Sequence, residues 1–491
     1  MRRFAIAAAG LVLLILVASA GALYWMLSGD GVRRALEAQA TSWLGQQVHI
    51  GTATMRFVPR IAIHLSDVRV GDPARMTLAS VDLSAPVRAL LRRRIEDADV
   101  IVSRSRIDMP LPFGLRGATS HADNGAGAVR LVSVRAITLR DVTLVSRTRA
   151  IAVTADASLR GDELTLSRLA AASGTTSLQA SGVVTLAPRI DARLRVIANR
   201  LDIDDLLALA NAFSPTPAAA QPSSRPSVRI AARLSAAAAQ VAGVDGRNFA
   251  GELQVDGDDV TLSPMSVQVF GGRYEGSMNA RLGDSMDATL RSRVSDVDVA
   301  QLAAFGGVPG AISGRLSGAG TFTGSGRDVA AVLRSARGDG TASIVNGTIA
   351  HLNLVRTVVV FFGRPAPAAP AASDRFDRLD AAFSLSQQVL RASAIALHSP
   401  DADLVGSGSL ALPTKRLDGR LDLSLSEALS QQAGRDVYRY TREGNRIVVP
   451  ATVGGTLGSP RLGIDAAEAV GRGLRNEIRQ RLGDLLGRLP H

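Results

Sequence analysis

The sequence predicts a mainly β protein: an elongated, twisted repeat β-groove with short helices, an N-terminal transmembrane helix and a C-terminal amphipathic helix. Three observations carry that expectation. Apolar residues alternate at period two in segment after segment, as in Leu253 and Val255, Val260 and Leu262, and Val267 and Val269. Residues 164–208 superpose without gaps on residues 260–304 at a shift of 96. Glycine is abundant at 47 residues while aromatics make up only 4%, so packing must rest on Ala, Leu and Val between many tight turns.

Size and composition bound the remaining possibilities. At roughly 150 residues per domain, the 491-residue chain has length for about three domains. It has no cysteine, which excludes disulfides, thiolate metal sites and a cysteine nucleophile. The net charge of +12 invites a nucleic-acid reading. Yet the arginines are dispersed among acids, and the densest basic run, Arg92, Arg93 and Arg94, is followed at once by Glu96 and Asp97. A solvated surface explains this pattern better, and no nucleic-acid partner is expected.

The first element is an anchor. Phe4 to Leu27 is a run of 24 residues without a charge. As a helix rising 1.5 Å per residue it would be about 36 Å long, enough for a hydrocarbon core of roughly 30 Å. Leu11, Leu13, Leu14 and Leu16 form its apolar centre, and Tyr24 and Trp25 stand at its far end, where aromatic rings favour the headgroup layer. Arg2 and Arg3 on one flank balance Arg33 and Arg34 on the other, so charge alone leaves orientation tied. A long downstream chain translocates regardless of so small a difference, which places residues 1–3 as a cytoplasmic stub and the body outside. Ala18-Ser19-Ala20 offers a rival reading as a signal-peptide cleavage site, but the apolar run continues beyond it.

The body follows as a helix and strands over 28–116, a first β repeat over 130–210, a Pro/Ala linker over 211–227, a second repeat over 228–310, and a C-terminal β region over 311–465 interrupted at 364–373. A short helical pattern runs from Val32 to Leu44. In the self-similar stretch Leu166, Ser167, Leu186, Asp191, Leu194, Arg195 and Asp202 match Leu262, Ser263, Leu282, Asp287, Leu290, Arg291 and Asp298. A fainter third copy puts Gly408, Leu412, Asp418 and Leu421 in the places of Gly182, Leu186, Asp191 and Leu194, given one insertion. Short helices are expected over Leu201 to Leu209 and Val297 to Phe305. Asp256-Gly257-Asp258-Asp259 reads as a turn, and Asn346-Gly347 as a type I′ hairpin. About 25 strands spaced at about 4.8 Å would extend such a sheet to roughly 120 Å. Leu253, Val255, Val267 and Val269 are the candidate lining of its apolar face. That face either packs against another sheet or stays open as a trough.

The last element is an amphipathic helix over 466–489. Val470, Leu474, Ile478, Leu482 and Leu486 recur every four residues and make one apolar stripe, with arginines on the other faces. It suits a membrane surface, a partner helix or the end of the protein's own sheet.

Enzyme chemistry finds little support. The six histidines do not fall at metal-ligand spacing, and the nucleophile-elbow, zinc-protease and phosphate-loop motifs do not occur. Gly318, Gly320 and Gly324 miss the dinucleotide fingerprint by one residue and are attributed to tight turns. No catalytic activity, cofactor or metal is expected.

Several segments in order resemble the AsmA family of bacterial envelope proteins. Near the start these are Gly45-Gln46-Gln47-Val48-His49-Ile50-Gly51, Asp67-Val68 and Gly71-Asp72-Pro73; further on, Ser317-Gly318-Ala319-Gly320, Asn346-Gly347 and Leu352-Asn353-Leu354; near the end, Val449-Pro450, Gly454-Gly455-Thr456-Leu457 and Ser459-Pro460. The resemblance implies a single-pass protein of the bacterial inner membrane with its body in the periplasm. It also implies kinship with TamB-type and bridge-like lipid-transfer proteins, in which an apolar β-groove shelters acyl chains. Membrane phospholipids are then the expected partners, in phospholipid transport or outer-membrane homeostasis. The alternative is a structural or assembly factor that assists outer-membrane protein biogenesis by binding envelope proteins through strand edges.

Overall fold

The computed structural model describes residues 33–465 and 468, except 35, 39, 42–45, 57–59, 87–93, 110–129, 132, 147–148, 188, 203–227, 242, 284, 351–374, 433–441 and 444. The chain divides into two compact units, Met1–Gly243 with Glu252–Gly257 and Val244–Gly251 with Asp258–His491. The protein is mainly β, as the alternation requires.

The first unit contains β1 (Val48–Arg56), β2 (Ile61–Val70), β3 (Met76–Ala85), β4 (Arg94–Ile95), β5 (Ala98–Met109), β6 (Arg130–Leu131), β7 (Ser133–Ser146), β8 (Arg149–Arg160), β9 (Glu163–Ser173), β10 (Thr176–Thr185), β11 (Ile190–Asp202) and β12 (Val228–Val241). Its ladder runs from β1 through β2, β3, β5 and β7 to β12 in chain order, antiparallel except at β5 with β7 and β11 with β12. Both parallel pairs follow long connecting stretches. That is the physical requirement, because a strand can return in the same direction only over a dozen or more residues.

One core of this unit gathers Val48, Ile50, Leu65, Val68, Val70 and Val81, with Leu36 and Ala40 packed on it. Leu36 and Ala40 belong to the expected N-terminal helix, and the described residues between 33 and 41 are helical. Glu37 ties that helix to the sheet by accepting from the Ile50 amide at 2.7 Å. Asp99 on β5 accepts two bonds from Arg135 on β7 at 2.8 and 2.6 Å, and that guanidinium, with Ser84 and Arg60, holds its carboxyl below the usual carboxylate range.

β13 (Val244–Asp256) is divided between the units after Gly251. The second unit continues with β14 (Asp259–Val269), β15 (Gly272–Arg281), β16 (Met286–Asp298), β17 (Ile312–Gly326), β18 (Arg337–Ile349), β19 (Arg375–Ser386), β20 (Val389–His398), β21 (Ala402–Ala411), β22 (Arg416–Leu425), β23 (Arg442–Glu443), β24 (Arg446–Thr456) and β25 (Ser459–Ile464). From β14 to β22 each strand pairs antiparallel with the next, and β24 and β25 complete the ladder.

The repeat is real at the level of backbone geometry and is larger than the sequence match. β9, β10 and β11 map onto β14, β15 and β16 at the shift of 96 with every strand boundary coinciding. The third copy appears at a shift of 226, where β8 and β10 map boundary for boundary onto β19 and β21. All three copies carry one bulge at the same place: Ser167-Arg168, Ser263-Pro264 and Ser393-Ala394 each oppose a single residue, Ser181, Ser277 and Ser407. The amides of Leu186, Leu282 and Leu412 close the same turn on Asp162, Asp258 and Gln388.

Four local expectations need correction. In the third copy Asp418 and Leu421 do not take the places of Asp191 and Leu194. Arg416 and Gly419 do, because the turn has one residue fewer between its closing pair rather than an insertion. Asn346-Gly347 is not a hairpin turn: the two residues lie inside β18 opposite Gly314, a bulge in which Asn346 adopts φ 53°. The helix begins at Val299 rather than Val297, since β16 runs to Asp298, whose side chain then caps it. Gly318, Gly320 and Gly324 lie within β17, not in turns.

Candidate functional site

The second unit presents one apolar sheet face, assembled from every second residue of its strands. The bulge in β14 is what keeps the parity right. Val260 and Leu262 face one way, and the extra residue at Ser263-Pro264 lets Met265, Val267 and Val269 face the same way. Val267 and Val269 therefore belong to this face, opposite Tyr274 and Gly272. Leu253 and Val255 are half-buried and alternate with the exposed Glu252, Gln254 and Asp256 of the first unit.

Across the strands the inward residues fall into rows. One row of large side chains runs from Val297 through Leu316, Ile344, Leu379, Leu397, Leu404 and Leu423 to Val449. Three rows along, a second runs from Met278 through Leu290, Phe322, Gly338, Leu385, Leu390 and Leu410 to Leu417. In the row beside this second one small residues predominate: Gly276, Ser292, Gly320, Gly340, then after Phe383 come Ala392, Gly408 and Gly419; the row between it and the first alternates Gly and Ala with Tyr274, Val294, Ile395 and Leu421.

The glycines of this lane are there because neighbouring groups come too close for a side chain. A Cβ on Gly276 would stand 2.3 Å from the Arg291 carbonyl oxygen, and one on Gly340 would stand 2.8 Å from both the Ala319 oxygen and the Phe383 ring. Phe322 crowds Gly320 in the same way at 2.8 Å. Aromatic rings thus lie down over glycine backbone instead of standing up from the sheet, and Phe322 and Phe383 stack at 6.5 Å. The Tyr274 hydroxyl reaches Ser292 Oγ at 3.0 Å, and burial pushes its phenol above the ordinary tyrosine range.

This face is filled at one end and open elsewhere. Leu397, Ala402, Leu404, Leu423, Leu425, Ile447 and Val449 form a buried core, with Leu429 of the helix Glu427–Gln432 packed on it. By contrast Met278, Leu290, Phe322, Phe383, Leu385 and Leu410 are only half-buried. A sandwich would bury such residues under a second sheet.

The opposite face is polar. It carries a cluster in which Asp403 is shared by His398 and Arg446, while in the first unit, taken by itself, His64 pairs with Asp82 at 2.6 Å. These cross-strand partners are far apart in sequence or separated by a turn, so spacing rules for metal or catalytic motifs do not find them. Among the described residues no group of three or more His, Asp or Glu could hold a metal ion.

The anchor residues Leu11, Leu13, Leu14, Leu16, Tyr24 and Trp25 lie outside the described residues, as do Val470, Leu474, Ile478, Leu482 and Leu486 of the C-terminal helix and the linker 211–227. Among the described residues no helix is long and apolar enough to cross a membrane.

A repeat-built, open antiparallel sheet with one apolar face defines the class of protein. The model of the AsmA family matches residues 166–395, from within β9 to within β20, and over that stretch the chain is similar to the AsmA family. The opening and closing motifs noted in the sequence lie outside the matched residues. No curated protein and no solved structure matches the chain.

Proposed function

We propose that this protein is a lipid-handling component of the bacterial envelope, which shelters phospholipid acyl chains on its apolar sheet face. Residues 4–27 hold it in the inner membrane as a single span, and the body stands in the periplasm, where it aids phospholipid transport or outer-membrane homeostasis. The supporting observation is the half-buried face between Met278 and Leu410, which no second sheet among the described residues covers. Covering acyl chains there offsets about 0.8 kcal/mol of hydration cost per CH₂. A lane floored by small residues and flat rings places no tall side chain across most of its length, so it suits sliding chains better than a fixed pocket.

A photo-crosslinking residue tests this reading in the full-length protein within cells. Placed at Leu290 on the apolar face it should yield phospholipid adducts, and placed at Arg293 on the polar face it should not. Absence of lipid at Leu290, or equal yields at both, would overturn the proposal. Adducts of an outer-membrane barrel protein in place of lipid would support the assembly-factor alternative.

A further inference from the structure

The repeated bulge leaves a second constellation, on the polar face. Each copy sets a serine on the middle strand directly opposite an arginine on the next: Ser181 with Arg195, Ser277 with Arg291, and Ser407 with Arg420. All three arginines are exposed.

In the first copy the surroundings are strongly cationic. The parallel pairing of β11 with β12 sets Arg195 directly against Arg233, and Arg193 stands two residues away on the same strand face. Like charges directly opposed across strands are destabilising. Glu252 answers Arg233 at 3.1 Å, and Asp191 lies 3.9 Å from Arg193, but Arg195 has no hydrogen bond or ion pair among the described residues. A recess of about 510 Å³ opens here, lined by Ser181, Arg193, Arg195, Arg233 and Glu252 together with small residues of β12. Three guanidiniums against one lining carboxylate, with a hydroxyl beside them, supply the charge and the hydrogen-bond donors that a tetrahedral oxyanion takes.

We infer that this recess in the first unit binds a phosphate group. Arg195 is its central donor, Arg193 and Arg233 close the sides, and Ser181 supplies a hydroxyl. The second copy is a weaker version of the same site. Its recess of about 810 Å³ holds Ser277, Arg291 and Arg293, but Glu275 and Asp339 line it too and offset the positive charge. The inference stands on the polar face and does not depend on acyl chains occupying the apolar one.

Calorimetric titration of the detergent-solubilised full chain with inorganic phosphate and with dihexanoyl phosphatidic acid tests it. Saturable binding of at least one probe is expected, weakened at least about tenfold by Arg195→Gln, the loss of one charge-assisted contact. Arg229→Gln removes the same charge outside the recess and should leave binding nearly unchanged. Equal affinity for the two probes would identify phosphate itself as the ligand, and preference for the lipid a headgroup. No saturable binding of either probe, or equal weakening by the two variants, would overturn the inference. Far-ultraviolet circular dichroism of both variants checks that the exposed substitutions leave the fold intact.

Discussion

Two stretches of the second unit, β14–β16 and β20–β22, share the same bulge, yet Tyr274 and Val294 of the first are half-buried where their equivalents in the second, Leu404 and Leu423, lie in a closed core. In β20–β22 the inward leucines Leu404 and Leu423 are 3% and 0% exposed, and the helix Glu427–Gln432 lays Leu429 over them. Ser430 in that helix accepts from the Ile447 amide at 3.0 Å, pinning the cover to the sheet. In β14–β16 the helix Val299–Phe305 buries only Val299 and Ala303, and Met278 and Leu290 are left half-buried. The comparison teaches that the repeat fixes backbone geometry, whereas the inward side chains and a short helix decide whether a given copy is filled.

The largest expected effect contrasts the two stretches directly. Leu423→Ala should cost about 2–5 kcal/mol, as for a fully buried leucine leaving a cavity. Leu290→Ala, half-buried, should cost well under that, while reducing lipid crosslinking from neighbouring positions. Urea unfolding of both variants checks the difference, and equal losses would mean that the face at Leu290 is as filled as the core.

A smaller effect tests what the copies share. Gly276 and Gly406 occupy equivalent places, and a Cβ would stand 2.3 Å from the Arg291 oxygen in one and 2.2 Å from the Arg420 oxygen in the other. Alanine at either should cost about 1–3 kcal/mol through overpacking, even though the first unit carries Ala180 at the matching position. Thermal melts of the two variants should therefore fall together. A drop in only one would show that crowding belongs to the local fill and not to the shared backbone.

The smallest effect concerns the helix on β16. Asp298 accepts from the Gln301 side chain at 3.0 Å and from the Ala300 amide at 2.9 Å, and these bonds hold its carboxyl below the usual carboxylate range. A carboxylate whose pKa is lower folded than unfolded contributes its full stability above the ordinary carboxylate range and loses it as pH falls through the depressed folded value. Asp298→Ala should cost about 1 kcal/mol near neutrality and flatten the acid limb of the stability profile. Denaturation midpoints between neutral and acid pH measure both.

Much of this was legible in the chain because strand periodicity and turns are local. The self-match at 96 residues marks strands whose boundaries coincide, and Gly257-Asp258 sits in the turn between β13 and β14 as its composition requires. The third copy was only half legible: Gly408 and Leu412 align correctly, but a turn shorter by one residue moves the partners of the next strand. Asn346-Gly347 misled for a physical reason. A left-handed asparagine followed by glycine serves a bulge as well as a hairpin, and only the pairing with β17 distinguishes them. The Arg195 recess was not legible, since nothing local says that β12 returns parallel to β11 and opposes one arginine with another.

By itself the sequence determined that the protein is built of strands, that they repeat, and that one face of them is apolar, because alternation and turn chemistry act within a few residues. Tertiary structure decided which glycines lie under rings, where the apolar face is closed, and which arginines meet across strands. Those outcomes depend on register between segments distant in the chain, and register is fixed only when neighbouring strands have docked.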